Sequence, residues 1–248
     1  MATFDPWQQL KLLELANLDK QIAKSNYTLA RLPLLEKKSD LTALAANLRQ
    51  NEIVLITYIA DLELEISKVE EDVSVVRMRS SKDEELLISG SISDSKQLSE
   101  LQHEVTSLKR RQNELEDAEM EVMEQQEKHN SDLRIIRERI LENANALAEV
   151  EAQLAVESGE IQSQISVLLA SRSDLVPTVD SELIDMYERI RVDNDGVGAA
   201  LLQQRKCLSC GMQLSPTAVS EARAAASNVL IRCEECRCIL VRTDESGL

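Results

Sequence analysis

Large aromatic side chains are almost missing from this chain of 248 residues: one Phe, one Trp and three Tyr. A compact globule of this length would fill its core with more of them. Glycine (6) and proline (4) are scarce, so tight turns are few. Only two histidines are present, His103 and His129. No phosphate-cradling glycine loop, no G-x-S-x-G elbow and no H-E-x-x-H helix occurs. No apolar stretch approaches the roughly 20 residues that span a bilayer, and Met1 to Lys20 carries Asp5, Lys11, Glu14 and Asp19 in place of a secretory core. A cytoplasmic protein without membrane contact is expected. Cysteine is absent before position 207, and all five cysteines fall between 207 and 238.

The charge is acidic and uneven. The net formal charge is −16. Residues 81–199 hold 12 Lys/Arg against 27 Asp/Glu, whereas residues 200–248 hold 6 against 5. An acidic surface repels phosphate backbones. Nucleic-acid contact is therefore restricted to the near-neutral tail or to a local basic cluster.

Between these absences lies a long helical signal. From Leu41 the steps alternate fours and threes: Leu41, Ala45, Leu48, Glu52, Leu55, Ile59, Leu62, Ile66, Val69, Val73, Val76. A sustained 3.5-residue spacing is a coiled-coil seam. The Ser-rich stretch around Gly90 interrupts it, with Ser93 or Asp94 placed to cap a second helix. The seam then resumes in two columns. One runs Leu98, Val105, Gln112, Glu119, Gln126, Leu133, Ile140, Leu147, Leu154, Ile161, Leu168. The other runs Leu101, Leu108, Leu115, Val122, His129, Ile136, Asn143, Val150. Two helices folded back at the turn explain this pattern, with arms of about 80 Å at 1.5 Å per residue. An earlier helix, Pro6 to Leu32, shows Leu10, Leu13, Leu18, Ile22 and Leu29 on its apolar side, and Pro33 ends or kinks it. Val176-Pro177 breaks the second arm, and a short amphipathic helix follows from Ser181 to Val192.

The tail carries the chemistry. Cys207-Leu-Ser-Cys210 and Cys233-Glu-Glu-Cys236 are two C-x-x-C pairs separated by 22 residues. Two thiols three apart on a tight turn face one metal, and two such turns complete a tetrahedron. These four cysteines are expected to bind one structural Zn2+. A four-sulfur iron site is the chemical rival, and a thioredoxin-type redox pair lacks its βαβ context. Cys238 alternates with Cys236 and is expected on the far side of the turn as a spare thiol. Four thiolates fill the zinc shell, so no enzyme is expected.

The expected class is mainly α: a long antiparallel helical coiled-coil hairpin followed by a small β-rich zinc ribbon. The divisions are a hairpin over 1–176 with its turn near 88–94, a short helix and connector over 177–199, and the ribbon over 200–248. With these features the chain resembles a bacterial family of coiled-coil hairpins followed by a C4-type zinc ribbon, largely of unknown function, with its nearest likeness among actinobacterial members. The resemblance rests on Leu101-Gln-His-Glu-Val-Thr-Ser-Leu-Lys-Arg-Arg-Gln-Asn-Glu-Leu-Glu-Asp117, on Tyr187-Glu-Arg-Ile-Arg191 and on the cysteine pairs. Members usually read C-x-x-C-G-R-I-L at the second pair; here Arg237 and Cys238 stand in place of the Gly and Arg.

The resemblance implies a non-enzymatic adaptor. Relatives in other bacteria are linked to an alternative sigma factor, to flagellar or type III secretion assembly and to messenger RNA. The leading expectation is an adaptor or chaperone-like interaction protein with an unidentified protein partner. The alternative is nucleic-acid binding through Arg205, Lys206, Arg232, Arg237 and Arg242, or through the cluster Lys109, Arg110 and Arg111.

Overall fold

A computed structural model describes residues 3–248. Its helices are α1 (Pro6–Leu29), α2 (Pro33–Ile88), α3 (Ser95–Leu175), α4 (Ser181–Asp193) and α5 (Pro216–Ala224). Its strands are β1 (Ala199–Gln203), β2 (Lys206–Cys207), β3 (Ile231–Arg232) and β4 (Ile239–Val241). The fold class is the expected one: a long helical hairpin and a small C-terminal sheet carrying the clustered cysteines. α1 stops at Leu29, just ahead of Pro33, and Pro33 opens α2, a position that asks for no amide proton. No described helix is long and apolar enough to cross a membrane.

The chain divides into two compact units, residues 37–151 and residues 1–36 with 152–248. This grouping differs from the boundaries at 176 and 199 drawn from sequence. It joins α1 to the C-terminal sheet.

In the first unit, α2 and α3 pair as read from the seam. Leu48, Ile59 and Val73 of α2 and Val105, Leu115, Leu133 and Val150 of α3 are buried, and no seam member is exposed. Ion pairs Lys38–Glu151 (2.8 Å) and Arg137–Glu52 (2.9 Å) hold the register. Asn143 Nδ2 donates to the Leu41 carbonyl at 3.1 Å, and His129 stacks on Tyr58. At the turn, Gly90 takes φ +65°, and the Asp94 carboxylate accepts from the Lys96 amide at 2.8 Å.

The second unit is built around a four-stranded sheet in the order β2-β1-β4-β3. β1 pairs antiparallel with β2 and parallel with β4, and β3 closes antiparallel on β4. One core joins this sheet to Leu12 and Leu15 of α1 and to Leu183, Tyr187 and Ile190 of α4. α1 therefore buries Gln9, Leu12, Leu15 and Asp19 and leaves Leu10 exposed, a face rotated from the one expected. The start of the chain adds a further tie: the Phe4 amide donates to the Asn228 carbonyl at 2.7 Å.

Asp19 is the polar centre of this core, with its side chain 5% exposed. It accepts from Arg172 Nε at 2.7 Å and from the Tyr187 hydroxyl at 2.7 Å. Arg191 Nε lies 3.7 Å away, and Glu188 binds both arginines. Burial, reinforced by the Asp19 carboxylate, holds the Tyr187 phenol well above its ordinary range. Hydrogen bonding to Asp19 raises the Arg172 guanidinium in the same way. A charge this deep is tolerated only when its lone pairs are met.

Candidate metal centre

Two turns of the same construction carry the cysteines. In the first, the Gly211 amide donates to the Cys207 carbonyl at 2.9 Å, and the Cys207 amide donates to the Met212 carbonyl at 3.0 Å. In the second, Arg237 donates to Cys233 at 3.1 Å, and Cys233 donates to Cys238 at 3.0 Å. Each turn needs a left-handed residue directly after its second cysteine. Gly211 supplies φ +76° freely, whereas Arg237 adopts φ +58° with a Cβ in the way. The sheet brings the turns together. Cys207 pairs with Leu202, Arg232 pairs with Ile239, and the parallel β1–β4 ladder sets the two hairpins side by side.

The four sulfurs of Cys207, Cys210, Cys233 and Cys236 all lie within 4.8 Å of one another. Cys207 and Cys236 are 3.8 Å apart, and Cys210 and Cys233 are 3.7 Å apart. A tetrahedron with metal–sulfur bonds of about 2.3 Å has edges of about 3.8 Å. The four residues predicted as ligands thus fit one metal ion. Cys207 and Cys233 are buried, Cys236 is half-buried and Cys210 is exposed. The thiol of Cys238, bonded to the Cys207 sulfur, draws the Cys207 thiol down to about 4, and the amides of Cys210 and Ser209 act in the same direction against burial. Burial pushes the Cys233 thiol up to about 12. Amide donors aimed at sulfur favour the thiolate that a metal requires.

Cys238 departs from expectation. It is buried, with its Sγ 3.3 Å from that of Cys236 and 3.6 Å from that of Cys207. Alternation from Cys236 would turn it away. The left-handed backbone at Arg237 breaks that alternation and returns the next side chain to the sulfurs.

The basic residues fare unequally. Arg242 is engaged internally: its guanidinium donates to the carbonyls of Ala222, Ala225, Ala226 and Val229, tying the end of α5 to the following loop. Arg205 is exposed, and its Nε donates to the Gly247 carbonyl at 2.8 Å. Lys206, Arg232 and Arg237 are exposed. In the hairpin, Lys109 pairs with Glu84 at 2.5 Å, and Arg110 and Arg111 pair with Glu114 at 3.0 and 3.8 Å. Arg79 pairs likewise with Glu104 at 2.6 Å.

The same architecture occurs in known proteins. The uncharacterized protein Rv2229c of Mycobacterium tuberculosis is 35% identical over 240 residues, 96% of each chain. A solved structure from Mycobacterium smegmatis superposes with a TM-score of 0.85 at 28% identity, covering 97% of this chain and 100% of that one. The structure of CT398 from Chlamydia trachomatis gives a TM-score of 0.75 at 20% identity, with 94% and 96% covered, a likeness of fold. The family model described as the CT398-like coiled coil hairpin domain matches residues 15–195, from within α1 to just past α4. The chain belongs to the CT398-like coiled coil hairpin family.

Proposed function

We propose that this chain is a non-enzymatic, zinc-binding adaptor: a helical hairpin for reach and contact, and a zinc ribbon as docking head. The observation that carries the reading is the sulfur tetrahedron. A d10 ion suits four thiolates with no demand on geometry beyond the tetrahedron itself. All four corners are protein sulfur, so bound Zn2+ has no position for water or substrate. The ion would be held by Cys207, Cys210, Cys233 and Cys236 and would lock the two turns. A reducing cytoplasm would keep these thiols available.

Docking surface is at hand beside the cysteines. Leu208 and Met212 of the first turn are 51% and 53% exposed. Side chains of that size gain by being covered. The test is crosslinked capture from native cells with the full chain and with a Leu208→Glu, Met212→Glu double variant. Partner loss on substitution, with zinc content unchanged, is expected. An unchanged partner set would remove the docking role.

Nucleic-acid binding has less behind it. Arg242 is already bonded to four carbonyls, and Lys109, Arg110 and Arg111 face carboxylates. The tail also offers no aromatic side chain for stacking bases.

A further inference from the structure

Five sulfurs meet where the proposed zinc site requires four. Cys238 is fully enclosed, as Cys207 is. Buried cysteine commonly acts as a small apolar side chain, and Cys238 does adjoin Ile239 and Leu240 in the core. Core packing alone, however, does not require its sulfur to face two ligand sulfurs. The Cys238 Sγ stands 3.6 Å from Cys207 and 3.3 Å from Cys236, and those two stand 3.8 Å from each other. The three sulfurs form a small triangle on one edge of the tetrahedron. No such contact links Cys238 to Cys210 or Cys233, which form the opposite edge at 3.7 Å.

The two turns show how this arises. They share their hydrogen bonds and their left-handed residue. In the first turn the residue after the left-handed position is Met212, which projects outward. In the second it is Cys238, the first residue before β4, which is anchored by the ladder partners of Ile239. The sulfur is therefore held at the cluster by sheet backbone.

We propose that Cys238 is a reserve ligand, a fifth thiol that takes the place of Cys207 or Cys236 on the metal ion but not that of Cys210 or Cys233. The inference rests on the zinc reading above. In the exchange, Cys238 passes its thiol proton to the departing thiolate, 3.3 or 3.6 Å away, as its sulfur bonds the ion. The ion keeps four sulfur ligands and its oxidation state, so no oxidant or reductant is needed. A corner that opens is refilled from inside the protein before solvent reaches the ion.

The test uses the full chain and Co2+, whose sulfur charge-transfer and ligand-field bands report the number of thiolates. Wild type should bind one ion with a four-sulfur spectrum; no uptake would sink the zinc reading itself. Cys207→Ser and Cys236→Ser should keep one ion and the four-sulfur spectrum. Cys210→Ser and Cys233→Ser should lose it. Adding Cys238→Ala to Cys207→Ser or Cys236→Ser should abolish the retained spectrum. A three-sulfur spectrum in Cys207→Ser and Cys236→Ser alike, matching that of Cys210→Ser, would overturn the proposal. If the serine variants do not fold, zinc release to a chelator decides between wild type and Cys238→Ala. Release several-fold faster from Cys238→Ala supports the reserve ligand, and equal rates reject it.

Discussion

Single residues set the tolerances of the C-terminal unit. Arg237 occupies a left-handed position that favours glycine, so Arg237→Gly should stabilise the metal-loaded unit by about 1 kcal/mol in denaturant melts. Gly198 is constrained from the other side. A Cβ there would sit 2.6 Å from the Tyr187 ring and 2.8 Å from the Tyr187 carbonyl oxygen, so Gly198→Ala should cost about 2 kcal/mol through overpacking. Displacing that ring also loosens its bond to Asp19. The Tyr187 phenol is raised in the fold, so its neutral form is the one that folding favours. Its contribution is complete below the ordinary phenol value of about 10 and fades as pH climbs beyond it. Melts from pH 8 to 11 should show the unit weakening at the alkaline end. Tyr187→Phe should be less stable at pH 8 yet show a shallower alkaline decline.

At the level of elements, the hairpin was open to reading because one rule repeats through it. Each of Leu48, Leu55, Ile59 and Leu62 speaks for the same stripe, and each is sheltered. Leu48→Ala should therefore cost about 3 kcal/mol, while the neighbouring, 40% exposed Leu44→Ala should change stability by less than about 0.5 kcal/mol, both read from urea melts. The cysteine cluster of Cys207, Cys210, Cys233 and Cys236 was legible for a similar reason, since the spacing within each pair is local. What escaped was long-range. Nothing near Leu201 announces a parallel partner in Val241, and the four carbonyls around Arg242 come from the end of α5 and the loop after it, thirteen to twenty residues earlier. Asp19 left a faint mark, a carboxylate among the apolar residues of α1. Cys238 was misplaced by applying strand alternation across a left-handed residue. The matching Gly211 in the first turn was the available warning.

For the whole molecule, the shared core changes the expected role of the metal. The C-terminal sheet would not depend on a bound metal alone, because Leu12, Leu15, Leu183 and Tyr187 pack into the same core as its strands. Chelation should expose the amides of 207–212 and 233–238 to hydrogen exchange while the hairpin over 37–151, with its own buried seam, keeps its protection. Loss of protection throughout 37–151 would show that the two units unfold together. The bond from Phe4 to Asn228 has a temporal side as well. The ribosome makes the α1 half of that core long before the sheet half. At about 5–20 residues per second, the segment around Phe4 waits on the order of 10–40 s for its partner to emerge. During that interval Leu12 and Leu15 have no sheet to cover them, so α1 keeps an uncovered apolar face until residues 199–241 have been made.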